Sequence, residues 1–183
     1  MWTCPEDFPG VKEREIKGSD QVQTTFSVLT VSDSCSSGKR EDGSGPVIVK
    51  LMEEAGYRLV DYRITEDGIE AVSRSLKKMC RPGTDLLLTT GGTGFSPRDF
   101  TPEATNLICE RMVPGIPEML RLRSSHKVET AWLSRGAAGI AGKTLVVNMP
   151  GSVKAVSECV GFLLPLLDHA LQVLRGSVSR CGN

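Results

Sequence analysis

Three aspartates, Asp33, Asp67 and Asp99, and one glycine run, Thr90-Gly91-Gly92-Thr93-Gly94, are the residue types from which chemistry on an anion can be built. Glycines packed this closely cost folding entropy, so the run implies either an unusual backbone or amides that approach a ligand. Free N–H groups without bulky side chains suit phosphate or another polyanion. Three carboxylates beside such a cradle repel the same anion. A divalent cation resolves the conflict, because Mg²⁺ is held by one or two carboxylates together with substrate phosphates. The plainer alternative is that Asp33 caps its own loop and Asp99 pairs with the neighbouring Arg98.

The elements that must position these residues are legible in order. Phe26 to Val31 is a β-rich apolar run ending in the turn formers Ser32 to Gly38. Ser44 and Pro46 open a helix whose stripe is Ile48, Leu51, Met52 and Ala55, closed by Gly56. Arg58 to Ile64 reads as a second strand, leaving Glu66-Asp67-Gly68 at its carboxyl end. Ile69, Val72, Leu76 and Met79 mark a second helix. Leu86 to Leu88 is a buried strand that ends at the glycine run. Thr101-Pro102-Glu103 reads as a helix start, with Thr101 as N-cap and the stripe running to Met112. Pro117 opens a shorter helical piece, and Ser124 to Gly142 is left as helix or turn. Lys143 to Asn148 is another strand, followed by a long C-terminal helix that Pro165 is expected to kink or divide.

Alternating strands and helices predict an α/β fold, a three-layer αβα arrangement with a mostly parallel sheet. In such sheets ligands sit beyond the carboxyl ends of the strands. Four polar or glycine-bearing loops fall there: Ser32–Gly38, Glu66–Gly68, Thr89–Asp99 and Asn148–Ser152.

Composition narrows the function classes. Basic and acidic residues number 22 each, so nothing advertises nucleic acid or an anionic membrane. The apolar stretch Val160–Leu167 is short for a membrane span, and the first residues lack the apolar core of a signal peptide, so a cytoplasmic protein without membrane insertion is expected. The six cysteines show no C-x-x-C spacing, which argues against zinc and a disulfide framework. Gly142-Lys143-Thr144 is not a P-loop, because Ala137 stands where the first glycine belongs. Pro97 breaks any dinucleotide fingerprint at Gly92-Thr93-Gly94. Cys35 has no histidine nearby in sequence and reads as a small apolar group. Trp132 reads as core, and His126 and His169 as surface.

Taken together, TVSDS (Thr30–Ser34), DGSGP (Asp42–Pro46), TTGGTG (Thr89–Gly94), RDFTPE (Arg98–Glu103), LSR (Leu133–Arg135) and NMPGS (Asn148–Ser152) resemble the molybdopterin adenylyltransferase family, which comprises Mog-type proteins and gephyrin-type G domains. The resemblance implies the MoaB/Mog-like fold and a homotrimer. It implies Mg²⁺- and ATP-dependent transfer of AMP to molybdopterin with release of pyrophosphate. Asp67 and Asp99 align with the family's essential pair and would be both catalytic and metal-binding. Molybdopterin and nucleotide would be bound by Ser32, Asp33, Ser34, Ser44 and Gly45, by Thr90, Gly91, Gly92, Thr93, Gly94, Pro97 and Arg98, and by Ser134, Asn148, Met149, Pro150, Gly151 and Ser152. Glu66 replaces a usual proline and Phe100 a usual valine. Residues 1–24 are expected to be a flexible arm, 25–177 the molybdopterin-binding domain and 178–183 a tail. Molybdate insertion would need a separate protein. The alternative implied is a non-catalytic molybdopterin-binding or trimeric scaffold domain.

Overall fold

A computed structural model describes residues 23–177. The expected arm lies outside the described residues except for its last two positions, and the expected tail lies outside entirely.

Strand β1 (Thr25–Val31) is buried along its whole length, with Phe26 and Val28 facing one side and Leu29 and Val31 the other. A central strand covered on both faces must be apolar throughout, and this one is nearly so. There follow a single helical turn α1 (Asp33–Ser36), α2 (Gly45–Glu54), β2 (Arg58–Thr65), α3 (Ile69–Met79), β3 (Leu86–Thr90), α4 (Thr101–Ile108), β4 (Arg111–Met112), α5 (Gly115–Ser125), a 3₁₀ turn at Glu129–Leu133, β5 (Ala138–Ala141), β6 (Thr144–Met149) and α6 (Val153–Arg175). The sheet order is β2-β1-β3-β6-β5-β4. The first four strands in that order run parallel, while β5 and β4 are antiparallel additions at one side.

Each sheet face buries its own apolar set, which is the main driving force for stacking the layers. Phe26, Val28, Leu86, Leu88, Leu145 and Val147 pack with the inward residues of α2, α5 and α6, among them Ile48, Met52, Leu120 and Leu163. Leu29, Val31, Leu87 and Val146 pack with Val72, Leu76 and Met79 of α3 and Ala104 of α4. The three-layer αβα expectation holds.

Several local expectations are corrected. The N-cap of α4 is Phe100, and Thr101 is its first residue, because the Thr101 hydroxyl donates to the Gly91 carbonyl at 3.0 Å instead of closing its own helix. The helix ends at Ile108, and Arg111–Met112 is extended to pair with β5. The undecided stretch 124–142 holds the 3₁₀ turn and strand β5. Helix α6 passes Pro165 unbroken: the proline lies on the exposed face, and the residue four before it is Gly161. By length and composition α6 could cross a membrane, but Val156, Val160, Leu163, Leu167 and Leu171 are buried against the sheet. Trp132 is 55% exposed, not core.

At the amino edge of the sheet, Asp85 accepts the Thr25 N–H at 2.8 Å and the Thr25 hydroxyl at 2.7 Å. It also receives Arg175 Nε at 2.9 Å and Nη2 at 2.5 Å, so the first strand and the last helix are clasped by one carboxylate. Burial raises the Asp85 pKa, but the bonds from Arg175 and Thr25 outweigh it and hold the group below its ordinary value. Asp42 is lowered in the same way against its own burial, by Thr30, Tyr62 and the Gly45 and Ser44 amides. A carboxylate whose folded pKa lies below the unfolded one contributes stability above the unfolded value, about 3.9 for Asp, and loses it as pH falls through the folded value. Urea midpoints are therefore expected to fall most steeply below about pH 4. Asp85→Asn should lower the neutral-pH midpoint and flatten that fall; an unchanged acid limb would remove Asp85 from the account.

Candidate active site at the carboxyl edge

Because β2, β1, β3 and β6 are parallel, their carboxyl ends deliver Asp67, Asp33, the glycine loop and Pro150–Ser152 to one edge. Strand β5 runs the other way, so its entry, residues 134–137, arrives at the same edge.

The first two loops are locked reciprocally. The Asp33 N–H donates to Asp67 Oδ2 at 2.8 Å, and the Asp67 N–H donates to Asp33 Oδ1 at 3.0 Å. Arg98 crosses from the third loop, giving Nε to Asp33 Oδ2 at 2.7 Å, and Nη2 to Asp33 Oδ1 at 3.0 Å and to the Asp67 carbonyl at 2.7 Å. The plainer alternative, a pairing of Arg98 with its neighbour Asp99, does not form; Arg98 makes a two-pronged pairing with Asp33 instead. Hydrogen bonding from Arg98 holds the Asp33 carboxyl below its usual range. Asp67 is pushed up, chiefly by burial and further by the charges of Asp33 and Asp99. Asp99 accepts the Ser96 N–H at 3.0 Å through Oδ2.

The glycine loop is a packed object. Gly91 has φ +94°, and a Cβ there would lie far inside contact distance of the Val31 carbonyl oxygen. Gly92 has φ +64°, and its Cβ would collide with the Thr101 hydroxyl. These two glycines are demanded by the scaffold, which leaves Thr93 and Gly94 as the part of the loop that lines the neighbouring cavity. Arg135 grips this part, giving its N–H to the Thr93 carbonyl at 3.0 Å and Nε to the Gly94 carbonyl at 2.8 Å. Its other nitrogens meet the Asp99 carbonyl and Glu103 Oε1.

Other expected site residues serve the frame. Ser44 and Gly45 are buried, and both N–H groups go to Asp42 Oδ1, at 2.9 and 3.1 Å. The Ser44 hydroxyl donates to the Gly151 carbonyl at 2.7 Å, and Thr90 to the Pro150 carbonyl at 2.7 Å. Asn148 is 3% exposed; its amide donates to Thr89 and Thr105 and its oxygen accepts the Ala137 N–H. The Met149 side chain belongs to the core, so only its backbone faces the edge. The Ser32 and Ser34 hydroxyls lie 3.0 Å apart, Ser32 capping α1, and Pro97 and Arg98 are exposed. Cys35 is buried, in keeping with an apolar role.

Beside the loop lies a cavity of about 350 Å³ between α5, the 3₁₀ turn and the start of α6. Leu120, Val128, Ala131 and Leu133 give it apolar walls; Thr93, Ser134 and Ser152 supply hydroxyls, and Arg121 and Lys154 positive charge. Apolar walls with a few placed polar groups suit a flat ring with a hydrogen-bonding edge. Of the expected residues, Thr93, Gly94, Ser134, Asn148, Pro150 and Ser152 line it. Asp33, Asp67 and Asp99 do not; they form a separate acidic end. The two parts meet at Gly94, where a Cβ would stand 2.9 Å from Asp99 Oδ2. Arg121, Arg135 and Asp42 were not among the expected site residues, although Arg135 stands in the LSR motif and Asp42 in DGSGP.

The acidic end fits Mg²⁺. Its donors are hard oxygens, and Asp67 and Asp99 each keep one carboxylate oxygen without a hydrogen bond among the described residues. Repulsion between the two charges is what a cation relieves. Among the described residues no set of three or more His, Cys, Asp or Glu side chains is arranged to hold a metal.

An acidic pair, a glycine loop and a walled cavity stand together at the carboxyl edge of a parallel sheet, the layout of an α/β protein with its candidate site at the strand ends. The family model described as "Probable molybdopterin binding domain" matches residues 27–169. The chain is 40% identical over 153 residues to the molybdopterin adenylyltransferase of Helicobacter pylori strain J99, covering 82% of this chain and 87% of that protein. It is 42% identical over 157 residues to the Drosophila melanogaster molybdenum cofactor synthesis protein cinnamon, covering 85% of this chain and 26% of that protein, so it spans about a quarter of that relative. The crystal structure of the molybdopterin biosynthesis enzyme MoaB from Thermus thermophilus matches with a TM-score of 0.79 at 39% identity, over 84% of this chain and 98% of that one. The chain belongs to the Mog-type molybdopterin-binding domain family.

Proposed function

We propose that residues 25–177 form one domain that transfers AMP from ATP to the terminal phosphate of molybdopterin, with Mg²⁺ held by Asp67 and Asp99. The observation that carries this reading is the meeting at Gly94 of a ring-sized cavity and a carboxylate pair. The cavity takes the pterin, with Ser134, Thr93 and Ser152 in reach of its polar edge. Arg121 and Lys154 stand in the wall as counter-charges for its phosphate. ATP lies along the acidic end, its phosphates reaching toward the loop at Thr93 and Gly94. An oxygen of the pterin phosphate attacks the α-phosphorus, the α–β bridging bond breaks, and pyrophosphate leaves. No protein nucleophile is needed, so the side chains act by placement and charge. Mg²⁺ held by Asp67 and Asp99 would supply charge neutralisation for the leaving group. Asp33 stays out of metal binding, because Arg98 and the Asp67 amide occupy its oxygens.

The domain is further proposed to act as a cytoplasmic homotrimer and to pass its product to a separate molybdate-inserting protein; light scattering reads the trimer. The deciding experiment is pyrophosphate release from ATP and Mg²⁺ with and without purified molybdopterin. Release that requires the pterin is expected. Pterin binding without release makes the domain a carrier or scaffold.

A further inference from the structure

We infer that Arg135 is a positioning residue that sets the distance between the ring cavity and the Asp99 carboxylate; the inference rests on the adenylyl-transfer reading for its catalytic consequence and on geometry for the rest. Segment 134–136 is held from the cavity side by Arg121, whose Nη1 donates to the Ser134 carbonyl at 3.2 Å and to the Gly136 carbonyl at 3.1 Å. Gly136 is buried tightly, with space for a Cβ only 3.3 Å from the Asn148 carbonyl oxygen. From this fixed strap the Arg135 backbone N–H binds the Thr93 carbonyl, and its guanidinium reaches the opposite way to the carbonyls of Gly94 and Asp99, with Glu103 as its counter-ion.

The loop from Gly94 to Asp99 is therefore suspended between two arginines. Arg98 extends outward to Asp33 and Asp67, and Arg135 comes in from the strap. Among the described residues these are the hydrogen-bonded ties of that segment to the rest of the fold. Ser134, on the cavity wall, is covalently next to the residue that holds the Asp99 carbonyl. Ring and metal subsites thus share one ruler. A guanidinium suits the task because its planar donors reach several acceptors at once, which an ammonium on a flexible stem does not do.

The test uses the whole chain as wild type, Arg135→Ala, Arg135→Lys and Glu103→Ala. It reads backbone hydrogen exchange at residues 93–99 and pterin-dependent pyrophosphate release. Arg135→Ala is expected to speed exchange in the loop about tenfold while β1, β3 and β6 stay protected. It should lower kcat about 100-fold, with the KM for pterin within about threefold of wild type. Arg135→Lys should recover only a small part of either loss. Glu103→Ala keeps the carbonyl grips and should leave loop exchange near wild type. Unchanged loop exchange in Arg135→Ala overturns the inference, and so does a Glu103→Ala variant that reproduces the Arg135→Ala loop. If the wild type releases no pyrophosphate, the adenylyl-transfer reading falls, and the exchange data still decide the clamp.

Discussion

Asp99→Asn is expected to fold as the wild type does, bind pterin as tightly and lose roughly 10²–10³-fold in pterin-dependent pyrophosphate release, the usual scale for removing one preorganised charge contact. Asparagine is nearly isosteric and can still accept the Ser96 N–H, so the loop keeps its shape. What disappears is a negative charge at the end proposed to hold the cation. The cavity wall includes Gly94 but not Asp99, so pterin affinity has no reason to follow turnover. The measurement is kcat and KM together, with equilibrium pterin binding by fluorescence. Turnover at wild-type level would take Asp99 out of the mechanism. A parallel loss of pterin affinity would mean that the cavity and the acidic end are one subsite.

The second large effect concerns stability. Gly91→Ala is expected to cost about 3 kcal/mol or more, because a left-handed backbone and a collision with main chain add together. For a chain of this size that corresponds to a fall in Tm of roughly 10 °C. The collision is with the Val31 carbonyl of the central strand, which no rotamer change relieves. Gly83 is the internal control: its φ is +93°, yet nothing lies within 4 Å of its Cβ position. Gly83→Ala should therefore show the backbone cost alone, about 1–2 kcal/mol. Thermal melts of the two variants separate the terms. Equal losses would mean that Val31 and the loop yield, and that the glycine run is not fixed by the scaffold.

The parts of this fold that the sequence announces are those with local causes. FSVLTV, DLLL and KTLVVN are apolar runs that end in turn formers, so strand, carboxyl end and loop can be placed in one step. With parallel strands implied, Asp33, Asp67, Asp99 and the glycine run fall on one edge. What stays hidden has tertiary causes. Ala138–Ala141 reads Ala-Gly-Ile-Ala, with Ile140 its one strand former, too little to announce a strand; pairing with β6 and β4 makes it one. Thr101 has the right side chain for an N-cap, but the Gly91 carbonyl claims its hydroxyl. Arg98 is adjacent to Asp99 in sequence and bonds Asp33, 65 residues away, because the sheet brings those loop ends together. Ser44, Gly45 and Asn148 belong to the motifs of the family, yet their polar groups are largely spent on the frame, and motif matching does not separate a residue that touches a ligand from one that holds its neighbour in place.

The clasp at Asp85 bears on how such a domain can be used. Thr25 and Arg175 bond the same carboxylate, so the first strand and the last helix of the described domain adjoin, on the side facing away from the glycine loop. A unit with adjoining ends can be set into a larger polypeptide, or joined to further domains, without stretching its own sheet or covering its glycine-loop edge. Architecture of this kind lends itself to modular reuse, in keeping with a Drosophila relative of which the matched region is only 26%.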